Sequence, residues 1–330
     1  MTRPERVTVV GGGVSGLTTA LALRHEGFAV TVISPEAPAH TTSGVAAAIW
    51  HPFFQPPDPD FGRRAAATYR QLNALAAEPG SGVRPRTLTE YFRDTDAAPW
   101  WMTDLPGTAP ARRVQAPAHY RSAWAMTVPV ADTSSYLGFL HERLRRAGGE
   151  YDQRQVHDLY ELAASGPVVN CAGFAGAVLA ADPSASLVRG VVLRCAKPAG
   201  VDECWIDDSD PARPTYVIAR EHDVILGGTA GPGLVSTVVP DDQVDDILRR
   251  CAALVPAVAG AEVLQIRTGF RPARPSVRLE RDPAAPGLVH NYGHGGSGFT
   301  LSWGCAQDVT DLLTGGEPTR RSKVKDHVPS

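Results

Sequence analysis

The stretch RVTVVGGGVSGLTTALALRHEGFAVTVIS, residues 6 to 34, leaves this chain few folds to choose from. Arg6 to Val10 is a short run rich in β-branched residues, and Leu17 to His25 carries apolar residues at helical spacing. Gly27 stops that helix, and Val30 to Ile33 forms a second β run. Strand, tight turn, helix and strand make a βαβ unit with parallel strands and a right-handed crossover. Gly11, Gly13 and Gly16 fall in G-x-G-x-x-G spacing between the first strand and the helix. Gly11 permits the turn, Gly13 lets a pyrophosphate approach, and Gly16 lets helix and strand pack closely. Val14 and Ser15 lie between them, where a helix N-terminus offers unpaired N–H groups to an anion. A glycine turn without a ligand is the alternative. An acid usually ends the second strand and binds the ribose. In VISPE, Ser34 holds that position and Glu36 follows two residues on, so both stay open as the ribose ligand. That departure weakens a plain NAD reading.

The rest of the chain narrows the partner. At 330 residues it has room for one large domain or two moderate ones. A net charge of −3, with 20% charged residues, argues against nucleic-acid or membrane-surface binding, so a small molecule is expected. The basic, then apolar, N-terminus resembles a signal peptide, but GGG splits it, and no apolar run is long enough to cross a membrane. The C-terminal DHVPS matches neither an ER-retention nor a peroxisomal address. Five cysteines without a CxxC pair suit neither a disulfide framework nor zinc. A reducing cytoplasm and no metal are expected.

Along the chain, HTTSGVAAAIWHPF is rich in small residues, and a polar helix is predicted around Ala65 to Ala77. TSSYLGFLHERLRRAGGEY predicts an amphipathic helix with a Thr or Ser N-cap and a Gly-Gly stop. GPVVNCAGFAGAVL predicts another strand entering a glycine turn. Val188 to Val239 alternates β-branched residues with turns, as antiparallel strands do. PDDQVDDILRRCAALVPAV predicts a capped helix, and GLVHNYGHGGSGFTLSWGCAQDVTDLLTGG a strand, glycine loop and final helix.

VVGGGVSGLTTALAL, TTSGVAAAIW, VVNCAGFAGAV with RGVVLR, DSDPARPTYVIA with ILGGT, TGFRPARPSVRLE and VHNYGHGGSGFTLSWG together resemble the D-amino-acid oxidase family, which includes D-aspartate oxidases. The resemblance spans nearly the whole chain and is weakest between about Gln55 and Gln115. It implies an α/β fold: a Rossmann-like FAD-binding domain (1–51, 131–190 and 285–330) interlaced with a mixed or antiparallel-sheet substrate domain (52–130 and 191–284). It implies noncovalent FAD and oxidative deamination of a D-amino acid by O2 to a 2-oxo acid, ammonia and hydrogen peroxide. The partners are then a small D-amino acid and O2, with a homodimer as the assembly to consider.

By that resemblance Arg271 grips the substrate carboxylate, for which a guanidinium fork is well shaped. Surface ion pairs are the alternative role for Arg271 and Arg274. Tyr216 would contact the same carboxylate, or else fill a strand core. Gly295, Gly298, Phe299 and Thr300 would pass the flavin ring, with the Gly296 carbonyl facing the substrate amine. Thr42, Ser43, Ala47 and Ala48 would line the flavin phosphates and ring. Val156, Ala172 and Gly173 would reach the adenine side. Hydride transfer from a neutral amine needs no base, so no acid–base catalyst is assigned, and His290 and His294 are expected to pack or hydrogen-bond.

Ala212 and Ala230 stand where the family often has rings, which predicts a roomier side-chain pocket walled by Ile206, or a different lid; Val191 stands where the family usually has Gln. His51 lies near the substrate side chain, and with Arg213 it would attract an acid, unless Arg213 is a solvent-exposed loop residue. A neutral D-amino acid is expected first and D-aspartate second. A flavin oxidase of glycine, a cyclic imino acid or a biosynthetic intermediate, and an NAD(P)-dependent dehydrogenase, are the remaining alternatives.

Overall fold

The β-branched runs of the opening motif form β1 (Arg6–Val10) and β2 (Ala29–Ile33), joined by α1 (Val14–His25). They pair in parallel, Arg6 opposite Ala29 and Val10 opposite Ile33. The structure is a computed structural model that describes residues 5–52 and 58–315. α1 starts at Val14, earlier than its apolar spacing predicts, because the glycine turn itself supplies the first carbonyl: Gly13 accepts from the Leu17 N–H at 3.0 Å.

Next come α2 (Thr42–Val45) and α3 (Pro59–Ala76). α3 begins six residues before the predicted Ala65. Asp58 accepts from the Phe61 N–H at 2.6 Å, and proline suits the first turn. β3 (Val83–Phe92), α4 (Trp100–Thr103), β4 (Arg112–Val114) and β5 (Ser122–Ala131) precede α5 (Thr133–Arg146). The N-cap of α5 is Asp132, not the predicted Thr or Ser. Its carboxylate accepts from Ser134 N–H at 3.0 Å, while the Thr133 hydroxyl donates to the Gly44 carbonyl instead.

β6 (Glu150–Asp152), α6 (Leu159–Ala164), β7 (Val168–Asn170) and α7 (Gly173–Leu179) complete the middle of the chain. The alternating segment supplies β8 (Ser186–Ala196), β9 (Cys204–Asp207), β10 (Thr215–Ala219), β11 (Asp223–Gly227) and β12 (Gly231–Pro232). α8 (Asp241–Leu254) has Pro240 at its cap position and no side-chain cap; Asp241 and Asp242 favour its N-terminus by charge. β13 (Val263–Ala273), β14 (Arg278–Arg281), β15 (Leu288–Tyr292) and α9 (Gly298–Thr314) follow.

These strands form two sheets. One runs β14-β15-β7-β1-β2-β6 and is parallel except where β14 meets β15. The other runs β12-β8-β11-β10-β9-β3-β5-β4, with β13 also on β8, and is antiparallel except where β3 meets β9. The fold is therefore α/β with a Rossmann-like parallel sheet and a mixed, mainly antiparallel one. α1 packs against α9, where the Thr18 hydroxyl donates to the Ser302 carbonyl at 3.2 Å. α9 also crosses α3 closely enough that a Cβ at Gly304 would strike the Arg64 backbone. Ile247 and Cys251 of α8 are buried with Val217 and Leu226 of the second sheet. No described helix is long and apolar enough to cross a membrane.

Candidate functional site

The site grows from two helix N-termini that meet. At α1, Gly11 has φ +113°, and a Cβ there would lie 2.5 Å from the Cys171 carbonyl oxygen. Gly16 is pressed so closely on the Gly11 carbonyl that a side chain would overlap it. No side chain caps α1 at Gly13; the Val14 N–H donates to Ser43 Oγ at 3.0 Å, and Ser15 is half-buried beside it. Ser43, half-buried, thus reaches the glycine turn, whereas Thr42 is exposed. Ala47 is half-buried, and Ala48 is buried with φ +60°, its carbonyl accepting from the Ala131 N–H at 2.9 Å.

At α9, Ser297 holds the cap position without capping the helix, and among the described residues its buried hydroxyl oxygen has no hydrogen-bond partner. A Cβ at Gly298 would come 4.0 Å from Val14, so the two uncapped N-termini face one region. Uncapped N–H groups, small residues and an unpartnered buried hydroxyl suit a large anionic dinucleotide. Phe299 and Thr300 are buried in the first turn of α9, and Gly295, in the left-handed region at φ +56°, donates its N–H to the Pro272 carbonyl at 2.9 Å. Gly296 is exposed beside it. Ala172 and Gly173 sit at the end of β7, where Gly173 faces the Pro272 ring, and Val156 is buried with Val10 and Ile33. Ser34 is buried and Glu36 exposed; the Tyr151 hydroxyl, over Gly12, donates to the Glu36 carbonyl at 2.6 Å.

Arg271, on β13, is joined to this loop through Pro272. Its guanidinium lies across Gly190, where a Cβ would be 2.5 Å from Nη1, and it donates to the Thr229 carbonyl at 3.0 Å. Among the described residues no carboxylate pairs with it. The Tyr216 phenol is within hydrogen-bonding reach of Arg271, and its ring rests on Gly227 and Gly228, where any side chain would collide with it. Burial raises the phenol's pKa against the pull of Arg271, keeping it a neutral donor. Arg274, by contrast, is an ion-pair residue: it donates to Asp182 at 2.9 Å.

Register carries the site across the second sheet. Tyr216 pairs with Ile206, and Ile206 with Glu90, which sets the three in one row. His51, 5% exposed, reaches Glu90 Oε2 with Nε2 at 3.3 Å, and its backbone exchanges hydrogen bonds with the Thr300 hydroxyl. Donor atoms of His51, Glu90 and Asp208 all lie within 4.8 Å of one another, an arrangement that offers a cation three ligands. Burial opposes charge on His51, but Glu90 outweighs it and raises its pKa. Burial, helped by Glu90 and Asp207, pushes Asp208 up to about 7 against the pull of His51 and Arg271.

Arg213 does not join this group. It is exposed and paired with Asp246 at 2.5 Å. The Ala230 N–H donates to the Ala212 carbonyl, and Ala212 is exposed. His290 and His294 are both buried in hydrogen bonds, to Asp282 at 2.9 Å and to Asn291 at 3.1 Å. Burial, with Arg64 adding to it, lowers His294 to about 4. All five cysteines are free and buried. Sequence reasoning missed Glu90, Asp208 and Tyr151. The one available signal was an acid inside the apolar alternation of TLTEYF, which marks a buried carboxylate without saying what faces it.

Comparison with known proteins adds the family. The model of the family described as "FAD dependent oxidoreductase" matches residues 6–312. A D-amino-acid oxidase of Rubrobacter xylanophilus is 43% identical over 311 residues, covering 93% of this chain and 95% of the relative. A D-amino-acid oxidase of Streptomyces coelicolor is 39% identical, covering 94% and 98%. The solved glycine oxidase of Geobacillus kaustophilus shares the fold at a TM-score of 0.80 and 20% identity, covering 98% of this chain and all of its own.

Proposed function

The chain belongs to the FAD dependent oxidoreductase family, and from that premise we propose that it is a D-amino-acid oxidase, oxidatively deaminating a D-amino acid with O2 as acceptor. The observation that carries the reading is Arg271: a half-buried guanidinium with no carboxylate partner among the described residues, beside a neutral phenol and next to the glycine loop of α9. Such a pair is shaped to accept a carboxylate, the guanidinium by its fork and Tyr216 by its hydroxyl. Bound FAD would supply the redox chemistry, taking the Cα hydride and returning the electrons to O2.

This chain's residues then bind and orient. Gly11, Gly13, Val14, Ser15, Gly16 and Ser43 hold the pyrophosphate at α1, Thr42, Ala47 and Ala48 flank it, and Ser34 with the Glu36 segment takes the ribose. Val156, Ala172 and Gly173 hold the adenine side. Gly295, Gly298, Phe299 and Thr300 hold the flavin ring, where the N-terminal dipole of α9 favours developing negative charge. Arg271 and Tyr216 fix the carboxylate and the Gly296 carbonyl receives the amine, which together direct Cα–H for transfer. No side chain is assigned proton abstraction: His294 is neutral and turned to Asn291. The five buried free thiols suit the reducing cytoplasm expected for the chain.

The purified protein should carry an oxidised-flavin absorbance that bleaches anaerobically with a D- but not an L-amino acid, and in air it should release peroxide. Arg271→Ala should retain flavin while kcat/KM falls by about two orders of magnitude or more, mostly through KM. A flavin-loaded Arg271→Ala enzyme with an unchanged KM would remove the arginine's role.

A further inference from the structure

We infer that the side-chain end of the substrate site is built for a cation: Glu90 and Asp208 receive the ammonium or guanidinium of a long basic D-amino acid such as D-lysine or D-arginine. The inference rests on the oxidase reading above and departs from the neutral side chain that the sequence favours.

Three independent observations carry it. The first is the row Tyr216–Ile206–Glu90 across β10, β9 and β3. Neighbouring strands are about 4.8 Å apart, so the backbone of Glu90 stands roughly 10 Å from that of Tyr216, whose ring leans further away onto Gly227 and Gly228. A substrate whose carboxylate lies at Arg271 and Tyr216 would run its methylenes over buried Ile206. Its terminal charge would arrive at Glu90 only if the side chain were as long as that of lysine or arginine.

The second is the state of Asp208. Strand alternation turns Asp207 to the opposite face, where it accepts from Arg93 at 2.7 Å and the Tyr120 hydroxyl at 2.6 Å. Asp208 is turned to the His51 and Glu90 side, partly buried, and among the described residues no group donates a hydrogen bond to it. A half-buried carboxylate crowded by Glu90 and Asp207, with no hydrogen bond given to it among the described residues, is stabilised by an incoming cation.

The third is the complementary state of Arg271, which lacks an anionic partner in the same pocket. At one end stands a guanidinium without an ion pair among the described residues; at the other stand two carboxylates of which His51 balances one, which together describe a site for a ligand charged at both ends. Donor atoms spread over as much as 4.8 Å can each reach one nitrogen at a normal hydrogen-bond length of about 2.8 Å. They would have to draw in to meet a metal ion at about 2.1 Å. Trp101, edge-on to His51 with centroids 5.1 Å apart, walls the same corner with an aromatic ring. An acidic side chain would instead meet two carboxylates against the single imidazole of His51.

The test compares D-lysine and D-arginine with D-norleucine, the uncharged analogue of similar length, in a peroxide-coupled assay of the FAD-loaded enzyme. The expected ratio of kcat/KM for D-lysine over D-norleucine is at least about tenfold, carried by KM. Asp208→Asn and, separately, Glu90→Gln should lower that ratio about tenfold. The ratio is read within one enzyme, so partial loss of folded protein does not move it, and retained flavin absorbance reports the fold.

D-norleucine turnover with a wild-type ratio near or below one would overturn the inference while leaving the oxidase reading intact. A ratio unmoved in both variants, both substrates falling together, would overturn it too, assigning the carboxylates to the α-amine or to structure. Zinc inhibition that needs Asp208 and Glu90, without preference for basic substrates, would replace the organic cation by a metal. Turnover of no D-amino acid at all would remove the oxidase reading and this inference with it.

Discussion

Burial acts in opposite senses on Asp208 and His294, and each has a consequence that can be measured. Asp208 is pushed up to about 7, so the fold favours its protonated form. The ordinary carboxylate value in an unfolded chain is near 4. Its contribution to stability is therefore fully present below about pH 4 and is lost as pH rises through 7. Asp208→Asn should raise the thermal midpoint of the substrate-free enzyme by a few degrees at pH 8 and by less at pH 5, followed by melting at both values. A gain that is equal at the two pH values would detach the effect from ionisation. His294, held at about 4, stays neutral across that range and serves as a hydrogen-bonding side chain. At this scale the sequence offered residue types. Arg271 and Tyr216 are marked by the family resemblance of TGFRPARPSVRLE and DSDPARPTYVIA, whereas Glu90 and Asp208 are not, because nothing in TLTEYF or CWIDD says which face each acid occupies.

Elements were legible where local chemistry fixes them and less so where a tertiary contact competes. The glycine turn, β1, α1 and β2 follow from β-branched runs and backbone that only glycine tolerates. Gly16→Ala would drive a methyl group into the Gly11 carbonyl, so the turn must open. The cost of such overpacking is about 1–3 kcal/mol, and the displaced turn should also release FAD. The expected result is a colourless or flavin-poor protein with a lowered melting temperature, read by absorbance and thermal melting; full flavin occupancy would argue against a tight turn. α5 shows the opposite case. Thr133 is a good N-cap in isolation, but its hydroxyl serves Gly44, and Asp132 caps in its place. α3 begins ahead of the predicted Ala65 because Asp58 caps the Phe61 N–H and Pro59 suits the first turn.

At the scale of the whole molecule, α9 is the member that holds the two ends of the chain in one site. It packs on α1 and on α3, and its Asp308 is fully buried between Arg63 and Arg64, with ion pairs of 2.6 Å to each. Asp308→Asn removes the charge and leaves two arginines partly buried without it, at a cost of about 3 kcal/mol. The melting temperature should fall by several degrees, and flavin should be lost before the second sheet unfolds, followed by flavin fluorescence against far-ultraviolet dichroism. Coincident loss of both signals would make the clamp global rather than local to the flavin end.

By itself the sequence determined the βαβ unit, the glycine loop before the last helix and the α/β class, because these depend on periodicity and backbone permissiveness over a few residues. Only the tertiary structure decided that Gly298 faces Val14 across the chain, that Arg271 lies over Gly190, and that Glu90 stands in one row with Tyr216. Those relations depend on strand register and helix crossing, which are set by packing between segments far apart in sequence. The same packing brings Asp208 beside His51 and Glu90, a grouping that no local sequence pattern announces.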